Sequence, residues 1–102
     1  MPAEIDLDDV IKALAHPARR DMLRWLKEPE VYFPEQDHPF EIGVCAGKFD
    51  ARTGLSQSTV SAHLATLERA GLVTRRKVGQ WNFFKRNDAT IEGFLRQLGQ
   101  QL

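Results

Sequence analysis

Residues 54–73 constrain the fold of this chain more than any other segment, because they predict a short turn followed by an amphipathic helix. Val60, Leu64 and Leu67 recur at i, i+4 and i+7, a spacing that places them on one face of an α-helix. Burying each of them stabilises the fold by roughly 1.5–3 kcal/mol, enough to fix the helix on a core. The opposite face carries small or polar residues and one cation: Ser58, Thr59, Ala62, Ala65, Thr66 and Arg69. Such a face can approach another molecule closely, as a helix in a DNA major groove must.

Glycine and serine residues mark the ends of this helix and of the one before it. Gly54 suits the left-handed position that ends a preceding helix, and Ser56 is a favourable N-cap for the next one. Gly71 ends the second helix just after Arg69, a cation near the negative end of the helix dipole. The sequence therefore predicts a helix-turn-helix over about residues 44–71.

A basic hairpin is predicted directly after the helix-turn-helix. Residues 72–74 and 81–85 are typical of strands, and Gly79 lies near the tip of the segment between them. An ordinary charged turn is the alternative, but the position behind a polar helix face favours a DNA-binding wing at about 72–86. The fold class expected is mainly α with a small β-hairpin: a winged helix-turn-helix with about five helices and a two-stranded wing.

The charge distribution supports a polyanionic partner. Residues 1–50 carry six Lys/Arg and eleven Asp/Glu, and residues 51–102 carry eight and three, so the halves have net charges of −5 and +5. This asymmetry orients the positive half toward DNA. With 102 residues, we expect a single domain spanning 1–102, without a membrane segment or export leader. One cysteine excludes an internal disulfide and fits the cytoplasm.

Amphipathic helices are predicted at both ends of the chain, at about 6–15 and 88–102. So small a domain has limited core to offer both, so part of their apolar surface is expected in a homodimer interface. The interface candidates are Val10, Ile11, Leu14, Ile91, Phe94, Leu95 and Leu98. The alternative is that the two helices simply cover the core of the monomer.

Three blocks of the sequence resemble ArsR/SmtB-type winged-helix repressors. They are LAHPAR at residues 14–19 with Met22, Leu23 and Leu26 behind it, GLSQSTVSAHL at 54–64 with AGLV at 70–73, and KVGQW at 77–81. The resemblance covers nearly the whole chain apart from residues 28–41. It implies a bacterial, cytoplasmic homodimer that joins through its first and last helices. It also implies repression of an operon through a palindromic operator on double-stranded DNA, with release when an effector binds.

The metal-binding residues of many such repressors are missing from this chain. Their Cys-x-Cys box falls on residues 44–49, where Cys45 takes the first cysteine position and Gly47 the second. The last helix contains no histidine, and borderline metals favour imidazole or thiolate ligands. A site built from Cys45, His38 and His16 is disfavoured, because the two histidines are better explained as a loop residue and a helix-entry residue. No metal and no cofactor is therefore expected.

The effector is not defined by the sequence. Cys45 is a candidate redox or electrophile sensor, because nearby Lys48 and a helix N-terminus would stabilise a thiolate; the favoured alternative is a buried cysteine acting as a small hydrophobe. Residues 28–41 are expected to be irregular. Their aromatic residues, Tyr32, Phe33 and Phe40, either line a pocket for an organic ligand or, as we favour, cover the edge of the core.

The sequence favours a DNA-binding transcriptional repressor over the other classes. Base contacts are predicted for Gln57, Ser58, Thr59, Ser61 and Ala62. Phosphate or minor-groove contacts are predicted for Arg69, Arg75, Arg76, Lys77 and Gln80. His63 either contacts a phosphate or makes a hydrogen bond within the domain. A winged helix that binds protein instead would carry large exposed anchors on the same face. An enzyme would need a cluster of catalytic side chains, and none is evident.

Overall fold

The computed structural model describes residues 5–102, which form six α-helices and a three-stranded antiparallel sheet. The elements are α1 (Leu7–Leu14), α2 (Pro17–Lys27), α3 (Pro29–Tyr32), β1 (Val44–Cys45), α4 (Ala46–Thr53), α5 (Gln57–Arg69), β2 (Val73–Val78), β3 (Trp81–Arg86) and α6 (Asp88–Gln101). Helices α4 and α5 form the helix-turn-helix, and β2 and β3 form the wing. The predicted winged helix-turn-helix is confirmed, with one short helix and one strand more than the sequence indicated.

Local side chains start the helices. Oδ1 of Asp6 accepts from the backbone N–H of Asp9 at 3.1 Å, and Oγ of Ser56 accepts from Thr59 at 3.3 Å. Before α2, Nδ1 of His16 accepts from the N–H of Ala18 at 3.1 Å, and a proline occupies the first helical position. Each bond satisfies a backbone N–H that has no partner within its own helix.

The sheet differs from the predicted two-stranded ribbon in two respects. Strand β2 continues to Val78, so Arg75, Arg76 and Lys77 lie within the strand and not at the hairpin tip. Residues 44–45, the start of the predicted helix-turn-helix, instead form β1 against the far side of β3, with Val44 opposite Phe84. The β-branched side chain of Val44 favours this extended conformation.

Residues 28–41 are more ordered than predicted. They contain α3 and end in a 3₁₀ turn at Phe40–Ile42. The side-chain amide of Gln36 donates to the carbonyls of His38 and Gly43 at 3.1 and 3.0 Å, and its oxygen accepts from the N–H of Cys45 at 2.9 Å. Gln36 therefore holds residues 28–41 against β1 through its side-chain hydrogen bonds.

One hydrophobic core joins all of these elements. The side chains of Phe33, Phe49, Met22 and Leu67 are completely buried in it. The ring of Phe33 packs against those of Trp25 and Phe49, with centroids 6.3 and 5.1 Å away, so this aromatic residue fills the core.

The core also buries three of the residues predicted for a dimer interface: Val10, Ile91 and Phe94. Those three side chains are almost completely covered by their own chain, which leaves them little surface for a partner subunit. No helix in the described part of the chain is both long and apolar enough to cross a bilayer.

Candidate nucleic-acid interface

Helix α5 presents a polar ridge to solvent, and we call it the recognition helix. Val60, Leu64 and Leu67 are at most 1% exposed and hold the helix on the core. The ridge residues are all exposed: Gln57, Ser58, Thr59, Ser61 and Ala62. The structure therefore provides the accessible face that base contacts need.

Hydroxyl groups are clustered at the start of the recognition helix. Oγ of Ser56 donates to Oγ1 of Thr59 at 2.9 Å and lies 3.3 Å from Oγ of Ser58. Gln57 makes no side-chain hydrogen bond to another residue of the described chain. Its amide is therefore free to make the paired hydrogen bonds that glutamine forms with adenine.

The turn between α4 and α5 is held by Thr53 and Gly54. Oγ1 of Thr53 donates to the carbonyl of Phe49 at 2.8 Å and accepts from the N–H of Leu55 at 3.1 Å. Gly54 has a φ of +71°, the left-handed conformation that ends α4. These bonds fix the angle between α4 and the recognition helix.

The three cations of β2 do not have the same role. The guanidinium of Arg75 pairs with Glu68 of the recognition helix at 2.9 Å and lies over the ring of Phe84, 5.2 Å from its centroid. Arg76 and Lys77 are exposed and make no ion pair with residues 5–102. Arg75 therefore ties the wing to α5, whereas Arg76 and Lys77 are available to phosphates; Gln80, in the hairpin turn, is also exposed.

Two further arginines are engaged within the fold. Arg69 lies at the end of α5, about 18 Å from Gln57 at 1.5 Å rise per residue, where it donates to Oγ1 of Thr66 at 3.3 Å. Arg52 of α4 lies over the rings of Trp25 and Tyr32, at 5.1 and 4.8 Å from their centroids. Neither guanidinium is part of the exposed ridge.

His63 points into the fold from the recognition helix and is 9% exposed. Its Nδ1 accepts from Nη1 of Arg19 at 3.1 Å, and its ring centroid lies 4.4 Å from that of His16. Arg19 also donates to the carbonyl of Ala13 at 2.7 Å and to that of Lys12 at 3.3 Å. Of the two predicted roles of His63, the structure shows the internal hydrogen bond. Arg19 links the end of α1 to the recognition helix, a role that sequence reasoning missed.

The environment of His63 predicts a pH dependence of stability. Burial lowers the pKa of His63 below its ordinary value of 6.5, and the charges of His16 and Arg19 lower it further. The unfolded chain therefore takes up more protons than the folded chain as the pH falls below 6.5. We expect the free energy of unfolding to decrease there and to level off below the folded-state pKa.

Urea denaturation between pH 5 and 7.5 would measure this dependence. His63→Gln should remove it, whereas the control His38→Gln should retain it. An unchanged pH slope in His63→Gln would contradict the assignment.

The residues considered for an effector are dispersed. Cys45 is half-buried at the N-cap of α4. The ring of His38 packs on Trp81 and Phe83, whereas that of His16 packs on His63. Across the described residues, no group of three or more His, Cys, Asp or Glu side chains could hold a metal ion. A redox role for Cys45 stays a prediction.

Helices α1 and α6 pack against each other, and each carries apolar side chains that the rest of the chain leaves partly exposed. Ile11 is 45% exposed and Leu95 is 59% exposed, while Leu14 and Leu98 are half-buried. We call these four residues the terminal-helix patch. It contains the interface candidates that the core does not bury.

A polar recognition helix on a helix-turn-helix, followed by a basic wing, defines a winged-helix DNA-binding regulator. Residues 49–75 match the model of bacterial regulatory proteins of the arsR family. The chain is 36% identical over 85 residues to the HTH-type transcriptional regulator YbzH of Bacillus subtilis, covering 81% of this chain and 85% of that protein. The chain belongs to the arsR family of DNA-binding transcriptional regulators.

Two other relatives extend the comparison. A putative arsenical resistance operon repressor, ArsR2 of Halobacterium salinarum, is 33% identical over 95 residues, covering 87% of this chain and 71% of that protein. The structure of HlyU from Vibrio cholerae is similar with a TM-score of 0.60 at 29% identity, covering 88% of this chain and 87% of that one.

Proposed function

We propose that this protein is a homodimeric repressor that binds a palindromic operator and leaves it when an effector binds. The observation that carries the proposal is the exposed ridge from Gln57 to Ala62, supported by three buried aliphatic side chains. ArsR2 is named as a repressor and HlyU of Vibrio cholerae as an activator. The resemblance of the recognition-helix block to ArsR-type repressors favours repression here.

Base recognition is assigned to the first two turns of the recognition helix. Gln57 is suited to adenine, and the methyl group of Ala62 is suited to the methyl group of thymine. The hydroxyls of Ser58, Thr59 and Ser61 can donate or accept, so they fit several base edges. The hydroxyls of Ser58 and Thr59 are oriented by Ser56 before DNA arrives, which lowers the entropic cost of binding.

Backbone contacts are assigned to the wing. Arg76 and Lys77 project from β2 without an acidic partner in the described chain, so each can displace a counterion from a phosphate. The Arg75–Glu68 pair would hold the wing at a fixed angle to the recognition helix.

Dimerisation is assigned to the terminal-helix patch. Ile11 and Leu95 are the most exposed side chains of this patch and lie on helices that pack against each other. A two-fold axis there would place two recognition helices about 34–36 Å apart and so select an inverted repeat.

Selection from a random-sequence DNA pool, followed by gel shifts on the recovered fragments, tests this proposal. On the selected operator, Gln57→Ala should cost about 1–3 kcal/mol and relax the preference at particular bases. Arg76→Ala should weaken binding to operator and random DNA alike and lower the salt slope by about 1.

Arg96→Ala, an exposed cation on α6, is the matched control and should leave both affinities unchanged. Equal effects of Gln57→Ala on operator and random DNA would refute base recognition by the ridge. Failure to enrich any sequence would refute the function itself.

A further inference from the structure

A groove with an apolar floor lies between α2 and the segment that joins the recognition helix to the wing. Its volume is about 290 Å³. Four aliphatic side chains from four parts of the chain make the floor: Leu14, Leu23, Leu72 and Ile91. None of the residues assigned to DNA contacts lines this groove.

The rim of the groove is cationic. Arg20, Arg24, Lys27 and Arg86 line it, and no carboxylate does. Arg24 pairs with Asp21 at 3.1 Å and Arg86 with Asp88 at 2.8 Å. Arg20 and Lys27 have no acidic partner within residues 5–102. The rim therefore has positive charge left over for a ligand.

Two cavities of similar volume lack this combination. One of about 310 Å³ has both Asp9 and Arg19 in its lining, and one of about 320 Å³ has Asp6 and Arg69. Both linings mix acidic and basic side chains, and Ile5 in the second is the one aliphatic side chain larger than alanine that either lining contains. The groove beneath Arg20 and Lys27 instead combines charge of one sign with an aliphatic floor.

The chemistry of the groove defines the class of its ligand. Aliphatic side chains favour an apolar body, because burying it removes apolar surface from water. A dry cavity of about 150 Å³ is large enough for benzene. The groove therefore has room for a body of that size and a charged group. A carboxylate suits the rim, because guanidinium groups bind carboxylates through paired hydrogen bonds.

We propose that this groove is the effector site and that it binds a small organic carboxylate with an aromatic or short aliphatic body. Its regulatory role rests on the proposed operator binding, whereas the binding of the carboxylate does not. The carboxylate would lie on the rim between Arg20 and Lys27, with the apolar body on Leu14 and Leu23.

The position of the groove connects it to both functional surfaces. Leu14 is the last residue of α1, and Ile91 belongs to α6, the two helices assigned to the dimer. Leu72 directly precedes the wing strand, and its carbonyl accepts from the N–H of Asn87 at 2.9 Å. A ligand on this floor would therefore move the wing relative to the dimer helices and weaken the fit of the dimer to its operator.

Isothermal titration of the full chain with benzoate, phenylacetate and hexanoate, without DNA, tests the site. We expect saturable binding of at least one of these, with one ligand per protomer. Benzamide, a neutral analogue of benzoate, should bind at least tenfold more weakly than the carboxylates. The double variant Arg20→Gln with Lys27→Gln should lose at least tenfold in carboxylate affinity. Arg96→Gln, whose side chain does not line the groove, should bind as the unmodified chain does.

Three results would overturn the proposal: no binding of any of the three carboxylates, equal binding of benzamide, or unchanged affinity in the double variant. If a second copy of the chain covered the groove, the double variant would shift the monomer–dimer equilibrium and leave carboxylate binding unchanged, which also overturns it. Gel shifts with the selected operator then test regulation, where saturating carboxylate should lower DNA affinity at least tenfold. Unchanged DNA affinity would overturn the effector role. Operator binding is measured without ligand as well, so a failure of the effector role is distinguished from a failure of DNA binding.

Discussion

Replacing Gly43 with alanine is expected to lower the free energy of unfolding by about 3 kcal/mol or more. Gly43 has a φ of +110°, a conformation that side chains with a Cβ rarely adopt. An added Cβ would lie 2.7 Å from the carbonyl oxygen of Phe84 and 2.9 Å from its carbonyl carbon. Both are backbone atoms, so relief would require β1 and β3 to separate at Val44, next to the core.

Gly47→Ala is the matched control for this prediction. Gly47 lies within α4, and an added Cβ would meet no atom within 4 Å. Alanine is the better helix former, so this change should raise stability by about 0.5–1 kcal/mol. Urea denaturation followed by circular dichroism would measure both variants. A Gly43→Ala protein as stable as the unmodified chain would contradict the close approach of this turn to β3.

Features that depend on neighbours in sequence could be predicted without the structure. The N-cap at Ser56 and the left-handed glycine at position 54 follow from residue type and the next few residues. The apolar spacing of the recognition helix also defined its exposed side, because a helix with one buried face must expose the other. The ridge was therefore predictable from its anchors.

Features that depend on distant partners could not be predicted. Strand β1 has two residues and no periodicity of its own; it exists because β3 pairs with it and because Gln36 accepts from Cys45. The bond from Arg19 to His63 spans residues 44 positions apart. No local sequence pattern predicts which residues pair over such a distance. The one indication in the sequence was His63 itself, a histidine beside the aliphatic stripe of the recognition helix.

The residues predicted for the dimer interface show that the sequence also could not define which surface a partner covers. An amphipathic stripe indicates that a face is covered but not which molecule covers it. The structure separates Val10, Ile91 and Phe94, which the chain's own core buries, from the exposed Ile11 and Leu95. Three of the seven candidates therefore belong to the core of the protomer, and the candidates that remain are Ile11, Leu14, Leu95 and Leu98 on α1 and α6.

Leu95→Glu is expected to convert the proposed dimer to monomer and to lower operator affinity at least about 100-fold, or roughly 2.8 kcal/mol. The substitution should cost the monomer little, because Leu95 is 59% exposed within its own chain. In a two-fold interface the change places two carboxylates in an apolar contact, where they lose water without gaining a partner. Operator affinity falls with it because a monomer binds only one half-site.

Val31→Glu is the matched control for Leu95→Glu. Val31 is 61% exposed on α3, so the two variants expose equal charge at equally accessible apolar positions. Sedimentation equilibrium and gel shifts should show a dimer with full operator affinity for Val31→Glu only. If both variants remain dimeric, the terminal-helix patch is not the interface. If Leu95→Glu becomes monomeric and keeps operator affinity, one protomer is sufficient for recognition and the operator need not be palindromic.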